Sequence, residues 1–310
     1  LDGLAAALLG DDRAIVMIPF GREFFKMSGS GNDFVFVDAR TEQAGPLATP
    51  EVVGAICSRG TGIGADGVCF IEASDRAEVR LIYLNADGSR ADLCGNATLC
   101  TARLALELGI VSRREFAIET DSGVLAARFL GQTPEIDLLP VREVRPDAGI
   151  PLERGEKQMG FALVGVPHLV IPVENIESVD VVGRGRPLRY HRSLVAGANV
   201  NFVQADADGR FRYRTYERGV EAETLACGTG AVAIAVLLSH WGLSEGSVRL
   251  QTRSGKDLAV RLSGPTSTRT PSLSGEARMV YRGQFGELPT SPAERLRAAA
   301  RASTRVEKAT

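Results

Sequence analysis

The chain has 310 residues, 44% of them hydrophobic and 24% charged, with 36 Lys plus Arg against 38 Asp plus Glu. This is the composition of a folded globular protein long enough for two domains. Its near-neutral charge lacks the basic footprint of a nucleic-acid binder, and no apolar run of 18 or more residues marks a membrane helix.

Residues 1–21 read as an N-terminal extension: their apolar run has no positive segment before it, and Met17 stands just ahead of the first patterned segment. From Glu23, FFKMSGSGNDFVFVDAR gives a strand, a glycine turn and a second strand. Thr49-Pro50-Glu51 is a helix start, and the helix is expected to stop by Gly60. The stretches 67–74 and 77–88 alternate as strands. Cys94 opens a helical pattern that ends at Gly109, and strands follow over 114–130 and 134–140. After Pro140 the plan recurs, with strand-turn-strand over 161–173, strands over 198–206 and 210–219, and a second Cys-Gly helix from Cys227 to Gly242. This self-similarity implies two related halves, with a boundary near Leu138. The basic stretch 183–187 (GRGRP) is read as a solvated loop, and the Ser/Thr/Pro-rich stretch 265–275 as a surface loop between late strands over 248–264 and 276–285. The tail is 289–310, a short solvated helix or a structureless end.

The rare residues narrow the chemistry. There are four lysines (Lys26, Lys157, Lys256, Lys308), three histidines (His168, His191, His240) and five cysteines (Cys57, Cys69, Cys94, Cys100, Cys227). No lysine follows a phosphate-binding glycine loop, which argues against pyridoxal phosphate. No Cys or His pair has zinc-site spacing, so no metal is expected. The odd, irregular cysteine set reads as free thiols in a reducing compartment.

Cys94 and Cys227 each begin a helix and each precede a glycine. A thiol at a helix N-terminus is expected to have its pKa lowered by the helix dipole, and the unpaired N–H groups of the first turn can hold a carboxylate. Across a cleft, one thiolate could take a proton from a carbon acid while the other thiol delivers one to the opposite face. Spacing alone leaves this reading level with the alternative that both are buried apolar residues. Cys57, Cys69 and Cys100 are read as packing.

The segments KMSGSGNDFVFVDAR, GTGIGADG, YLNADGSRADLCGN, VPHLV, NVNFV, YERG and ETLACGTGA stand in order from about Glu23 to Leu288. In this the chain resembles the diaminopimelate epimerases. The resemblance implies an α/β fold of two pseudo-symmetric domains, each a curled mixed sheet around a central helix, with the active site between them. Residues 22–138 plus 277–288 would form the first domain and 139–276 the second. It also implies a cytoplasmic homodimer, without cofactor, that interconverts LL- and meso-diaminopimelate for lysine and cell-wall synthesis, with a small amino acid as its partner rather than a membrane or nucleic acid.

By the same resemblance Cys94 and Cys227 are the proton-transfer thiols. Asn32 and Asn85 contact substrate; Gly95, Asn96, Gly228 and Thr229 hold the carboxylate of the reacting centre; Asn199 and Arg218 hold the distal end. Glu217 and His168 tune the thiols or the substrate ammonium, although His168, following a proline, could merely cap a strand. The site is expected to close around its substrate, because an exposed helix end contributes only about 0.3–1 kcal/mol, while a preorganised donor in a dry site is worth roughly 2.7–4 kcal/mol.

The chain departs from the family pattern at Ala97 and Leu99, where the family has glycine and arginine. It departs at Val166, where the family has a substrate-contacting asparagine, and by one extra residue within 219–223. These departures keep two further readings open: a racemase of another amino acid on the same scaffold, and a non-catalytic amino-acid-binding relative.

Overall fold

The computed structural model describes residues 21–141, 143–206, 208–265 and 269–286; the readings of residues 1–20 and of the tail lie outside them. The first half contains β1 (Glu23–Gly29), β2 (Asn32–Asp38), α1 (Pro50–Cys57), β3 (Gly67–Glu72), β4 (Val79–Asn85), α2 (Gly95–Glu107), β5 (Glu115–Thr120), β6 (Gly123–Leu130) and β7 (Thr133–Asp137). The second contains β8 (Val144–Arg145), β9 (Gly160–Val164), β10 (Val166–Pro172), α3 (Val181–Arg189), β11 (Asn199–Ala205), β12 (Phe211–Glu217), β13 (Ala222–Thr224), α4 (Gly228–His240), β14 (Ser247–Gln251), β15 (Asp257–Ser263) and β16 (Thr270–Gly275). The last described strand, β17 (Ala277–Gln284), returns to pair antiparallel with β1.

The strand directions repeat between the halves. In the first, β1–β2 is antiparallel, β2–β3 parallel, β3–β4 antiparallel, β4–β5 parallel, and β5–β6 and β6–β7 antiparallel. In the second, β9–β10, β10–β11, β11–β12, β12–β14, β14–β15 and β15–β16 follow the same sequence of directions. An antiparallel β7–β16 pair joins the halves into one ladder, so the pseudo-two-fold axis passes between these two strands. In this correspondence Val68 pairs with Leu84 as Val200 pairs with Tyr216, which one residue further on equates Asn85 with Glu217, and the parallel pairs Phe34–Gly67 and His168–Asn199 equate Asn32 with Val166.

Burial follows the layers. The central strands β2 and β3 are buried over Phe34–Val37 and Gly67–Ile71, because α2 covers one face and α1 the other. Strands β5, β6, β14 and β15 alternate buried and exposed residues, as strands covered on one face must. Both central helices lie in one apolar core, while α1 and α3 pack in separate cores on the outer faces. Helix α4 is buried from Gly228 to Leu238, which its composition requires, since it is apolar all round.

Two readings need correction. Residues 270–275 are strand β16, buried from Pro271 to Gly275, rather than a surface loop. Its serines looked solvent-seeking, but pairing with β7 and β15 satisfies the backbone, and Ser272 accepts a bond from Arg261. Residues 183–187 lie in α3, capped by the Asp180 carboxylate, which accepts from the Gly183 N–H at 2.8 Å. Arg184 is bound to Glu153 and the buried Glu156 instead of lying free in solvent.

Candidate active site

Cys94 and Cys227 are the N-cap residues of α2 and α4, both in extended conformation. The two helix starts meet head to head. A Cβ on Gly95 would come 3.6 Å from the Gly228 Cα and 2.7 Å from the Leu273 side chain, and one on Gly228 would come 3.1 Å from Asn96 Oδ1 and 3.3 Å from the Asn96 nitrogen. Only glycine lets the backbones approach this closely. The halves also touch where the Ser254 hydroxyl donates to the Ser30 carbonyl at 2.7 Å.

The Cys227 sulfur accepts from the Gly230 N–H at 3.3 Å and lies 3.6 Å from the Thr229 hydroxyl. Cys227 is buried, whereas Cys94 is partly exposed. The expected lowering of the thiol pKa does not occur. Burial pushes Cys94 up to about 12, with the charges of Glu217 and Asp66 adding to the rise, and the first-turn N–H groups of Ala97 and Asn96 only partly oppose it. Burial, then Glu217, raises Cys227 well above the ordinary thiol value, against the pull of Thr229 and Gly230. Desolvation outweighs the helix dipole because the dipole's effect is worth a kcal/mol or so, roughly, and burial of a charge costs more.

Glu217, at the end of β12, accepts from the Thr224 hydroxyl and lies beside Cys227. Burial, with the charge of Asp66 adding to it, raises its carboxyl to about 7 against the opposing hydrogen bond from Thr224. His168 lies inside β10, fully buried, with Nδ1 3.3 Å from Asn201 Nδ2 and Nε2 without a partner among the described residues. Burial, then the Arg218 charge, lowers its pKa to about 3, so it is neutral. It caps nothing; it reaches the Cys227 helix through Asn201. Asn199 accepts from the Arg218 N–H at 2.7 Å, and the Arg218 guanidinium donates to the Ala196 carbonyl at 3.1 Å. Asn85 is half-exposed and donates to Ser89 at 3.0 Å. Val166 is half-buried at the start of β10. Leu99 is fully buried in the α2 core, and Cys57, Cys69 and Cys100 are buried as expected.

Sequence reading missed a relay behind Asn32. Asn32 Nδ2 donates to the Asp66 carboxylate at 3.0 Å, and its Oδ1 accepts from Asn96 Nδ2 at 2.5 Å. A carboxylate only accepts, so Asp66 fixes the polarity of both amides and points Asn96 Oδ1, buried and without a partner among the described residues, toward Gly228. Asp66 is in turn tied through Arg59 to Asp33, and Asp33 to the buried Lys26. The GTGIGADG segment carries a carboxylate at Asp66, immediately before β3, and that is the signal that could have been followed. A cavity of about 580 Å³ lined by Glu153, Glu156, Asn175, Asp180 and Arg184 holds none of the site residues.

The family model for diaminopimelate epimerase matches residues 24–138 and 160–280. The chain belongs to the diaminopimelate epimerase family. It is 48% identical over 276 residues to the diaminopimelate epimerase of Gemmatimonas aurantiaca, covering 86% of this chain and 99% of that one. It is 38% identical to that of Aquifex aeolicus, covering 86% and 98%. Among solved structures, a hydroxyproline epimerase from Agrobacterium vitis superposes with a TM-score of 0.69 at 18% identity, covering 89% of this chain and 95% of that one. A Bacillus anthracis phenazine biosynthesis protein of the PhzF family superposes at 0.67 and 16% identity, covering 86% and 99%. The two-domain mixed-sheet architecture of this epimerase family member is thus shared with proteins of low sequence identity.

Proposed function

We propose that this protein epimerises LL-diaminopimelate to meso-diaminopimelate, serving lysine and peptidoglycan synthesis, by proton transfer between Cys94 and Cys227. One observation carries the reading: two thiols cap two helices whose N-termini meet at Gly95 and Gly228. The first-turn N–H groups of Gly95, Asn96, Gly228 and Thr229 form a cradle for the α-carboxylate, with a sulfur on either side of the carbon attached to it. Before substrate arrives, burial keeps both thiols protonated. The substrate ammonium brings positive charge beside Glu217 and the thiols, and an opposite charge within about 4–6 Å favours the ionised form. One thiol gives up its proton to water in the open cleft, the cleft closes to exclude water, and that thiolate removes the α-proton while the other thiol protonates the opposite face. Asn32 and Asn85 contact the substrate, Asn199 and Arg218 hold its distal end, and His168 tunes the site through Asn201.

Val166 favours a second reading, in which the same chemistry acts on an amino acid with a less polar side chain, since valine offers the distal end no hydrogen bond. The test is α-hydrogen exchange in deuterated water, with reductant, on LL-diaminopimelate and a panel of L-amino acids. Exchange of diaminopimelate alone supports the first reading, and exchange of another amino acid the second. Loss of epimerisation in both Cys94→Ala and Cys227→Ala is expected; full activity in either ends the two-thiol mechanism.

We further propose a homodimer in the cytoplasm. Strand β17 exposes Val280 and Tyr281 and pairs on one side with β1, which offers an edge and an apolar patch to a second copy. The five cysteines are free, in keeping with a reducing compartment. Sedimentation of Tyr281→Glu against the wild type tests the dimer; an unchanged mass would remove this edge as its interface.

A further inference from the structure

The two thiols are held differently. The Tyr213 hydroxyl accepts from the backbone N–H of Cys227 at 3.0 Å and donates to the carbonyl of the same residue at 2.9 Å. Tyr213 projects from β12 into the core around α4 and is 2% exposed. In the pairing of β11 with β12 it stands opposite Val203, as Leu81 stands opposite Ile71 in the pairing of β3 with β4. The position matching Tyr213 in the first half is therefore Leu81, which has no polar atom to offer Cys94. The Cys94 carbonyl instead accepts from the Thr98 hydroxyl within its own helix at 2.9 Å, and Cys94 keeps partial exposure.

We propose that Tyr213 is a positioning residue for Cys227, pinning the peptide of this one thiol so that its sulfur is held over the first turn of α4. The N–H of an N-cap residue lies outside the helical ladder, so it needs a partner from elsewhere, and here the hydroxyl supplies it. The Cys227 carbonyl has a second partner in the Ala231 N–H at 2.9 Å, so the hydroxyl matters most at the N–H side. With both groups tied to one rigid ring, the extended conformation of Cys227, φ −139° and ψ 108°, is fixed, and with it the 3.3 Å contact from the Gly230 N–H to the sulfur. Without the hydroxyl a buried N–H is left unpaired; the peptide turns to find a partner and takes the sulfur with it. The consequence is an asymmetric catalyst, in which one thiol's peptide is tied to a ring from a neighbouring strand and the other's, among the described residues, has no such tie.

The proposal rests on the two-thiol reading of function, and the test separates the two. Tyr213→Phe keeps the ring in its core position and removes only the hydroxyl. Steady-state epimerisation is measured in both directions with α-protonated and α-deuterated substrate, alongside the melting temperature. We expect kcat to fall by about 10-fold to 100-fold, as for a sub-ångström to ångström displacement of a reacting group, with KM within about two-fold of wild type. The substrate isotope effect should rise in the direction in which Cys227 is the base and stay unchanged in the other. A merely structural role would lower the melting temperature and leave the isotope effects alone. An unchanged kcat, a KM that rises as kcat falls, or isotope effects that rise equally in both directions overturns the proposal. If the wild type exchanges an amino acid other than diaminopimelate, the substrate reading fails while the same comparison is made with that amino acid; a wild type that exchanges none overturns both.

Discussion

Gly230 and Asn201 are packed so closely that a methyl group at position 230 would lie 2.3 Å from Asn201 Oδ1 and 3.1 Å from the Cys227 sulfur. Asn201 cannot step aside, because it donates to the Leu169 carbonyl at 2.8 Å and accepts from the Thr215 hydroxyl at 2.9 Å. The first half has Ala97 at the corresponding helix position, and the strand position corresponding to Asn201 is Cys69, which faces Tyr83 across the ladder as Asn201 faces Thr215. Gly230→Ala should therefore destabilise the protein by about 1–3 kcal/mol through overpacking and lower kcat by displacing Cys227. Ala97→Gly should cost about 1–2 kcal/mol, through helix propensity and the loss of one buried methyl, and should leave kcat nearly unchanged. Steady-state kinetics of the two variants, beside their urea denaturation, check the contrast; an equal loss of kcat would show that the asymmetry has no functional consequence.

Two site residues impose opposite pH dependences on stability. Glu217 holds its proton up to about 7 in the folded protein and loses it near 4.3, roughly, when unfolded, so its contribution falls as pH rises through that window. His168 stays neutral down to about 3 when folded and takes a proton near 6.5, roughly, when unfolded, so its contribution falls as pH drops through its window. Between pH 4.5 and 6.5, approximately, the two oppose each other. Relative to wild type, Glu217→Gln should make stability rise more steeply with pH there, and His168→Gln should make it fall, by up to about 1.4 kcal/mol per pH unit each. Denaturation midpoints at several pH values decide it, and slopes that shift in the same direction would refute the assignment.

Val166 occupies the place in the second half that Asn32 occupies in the first. Val166→Asn puts a hydrogen-bond donor at the start of β10, in the position that matches Asn32. The KM for diaminopimelate should fall by about ten-fold, the worth of one hydrogen bond to a charged group, with kcat little changed. A KM that rises for diaminopimelate, or falls for an apolar amino acid, would favour the alternative substrate.

Asp66 acts through Asn32, so the two should not be additive. Asp66→Asn frees both amides to flip and should lower kcat by about ten-fold. In an Asn32→Ala background the same change should cost little more, whereas independent sites would multiply their losses. Kinetics of the two single variants and the double variant settle the coupling.

Much of this was legible in the chain. The apolar runs of β2 and β3, the Thr-Pro-Glu start of α1 and the two Cys-Gly helix openings are local signals, because they depend on side-chain periodicity and on the first turn of a helix. The duplicated Cys-Gly plan announced two halves, whereas position alone left Cys94 and Cys227 balanced between reactive thiols and buried apolar residues, and the family resemblance chose between them. The reading failed where a residue's surroundings come from distant parts of the chain. Thr270–Gly275 is polar in composition yet buried, because β7 and β15 close over it from either side. The stretch 183–187 is helical because Asp180 caps it and Glu156 holds Arg184.

The thiols show the division most clearly. Their type and place at helix starts were fixed by the order of residues, and a helix dipole belongs to the helix itself. Whether that dipole prevails depends on how much water is removed and which charges stand nearby. Packing of the two helix ends against each other, with Glu217 and Asp66 close by, raises both thiols instead of lowering them. Desolvation and charge proximity are properties of the folded arrangement, as are the tie from Tyr213 to Cys227 and the polarity that Asp66 imposes on Asn32 and Asn96. The sequence by itself determined the residue types and the duplicated Cys-Gly helix starts; the tertiary structure decided the protonation of these groups, their orientation and the inequality of the two halves.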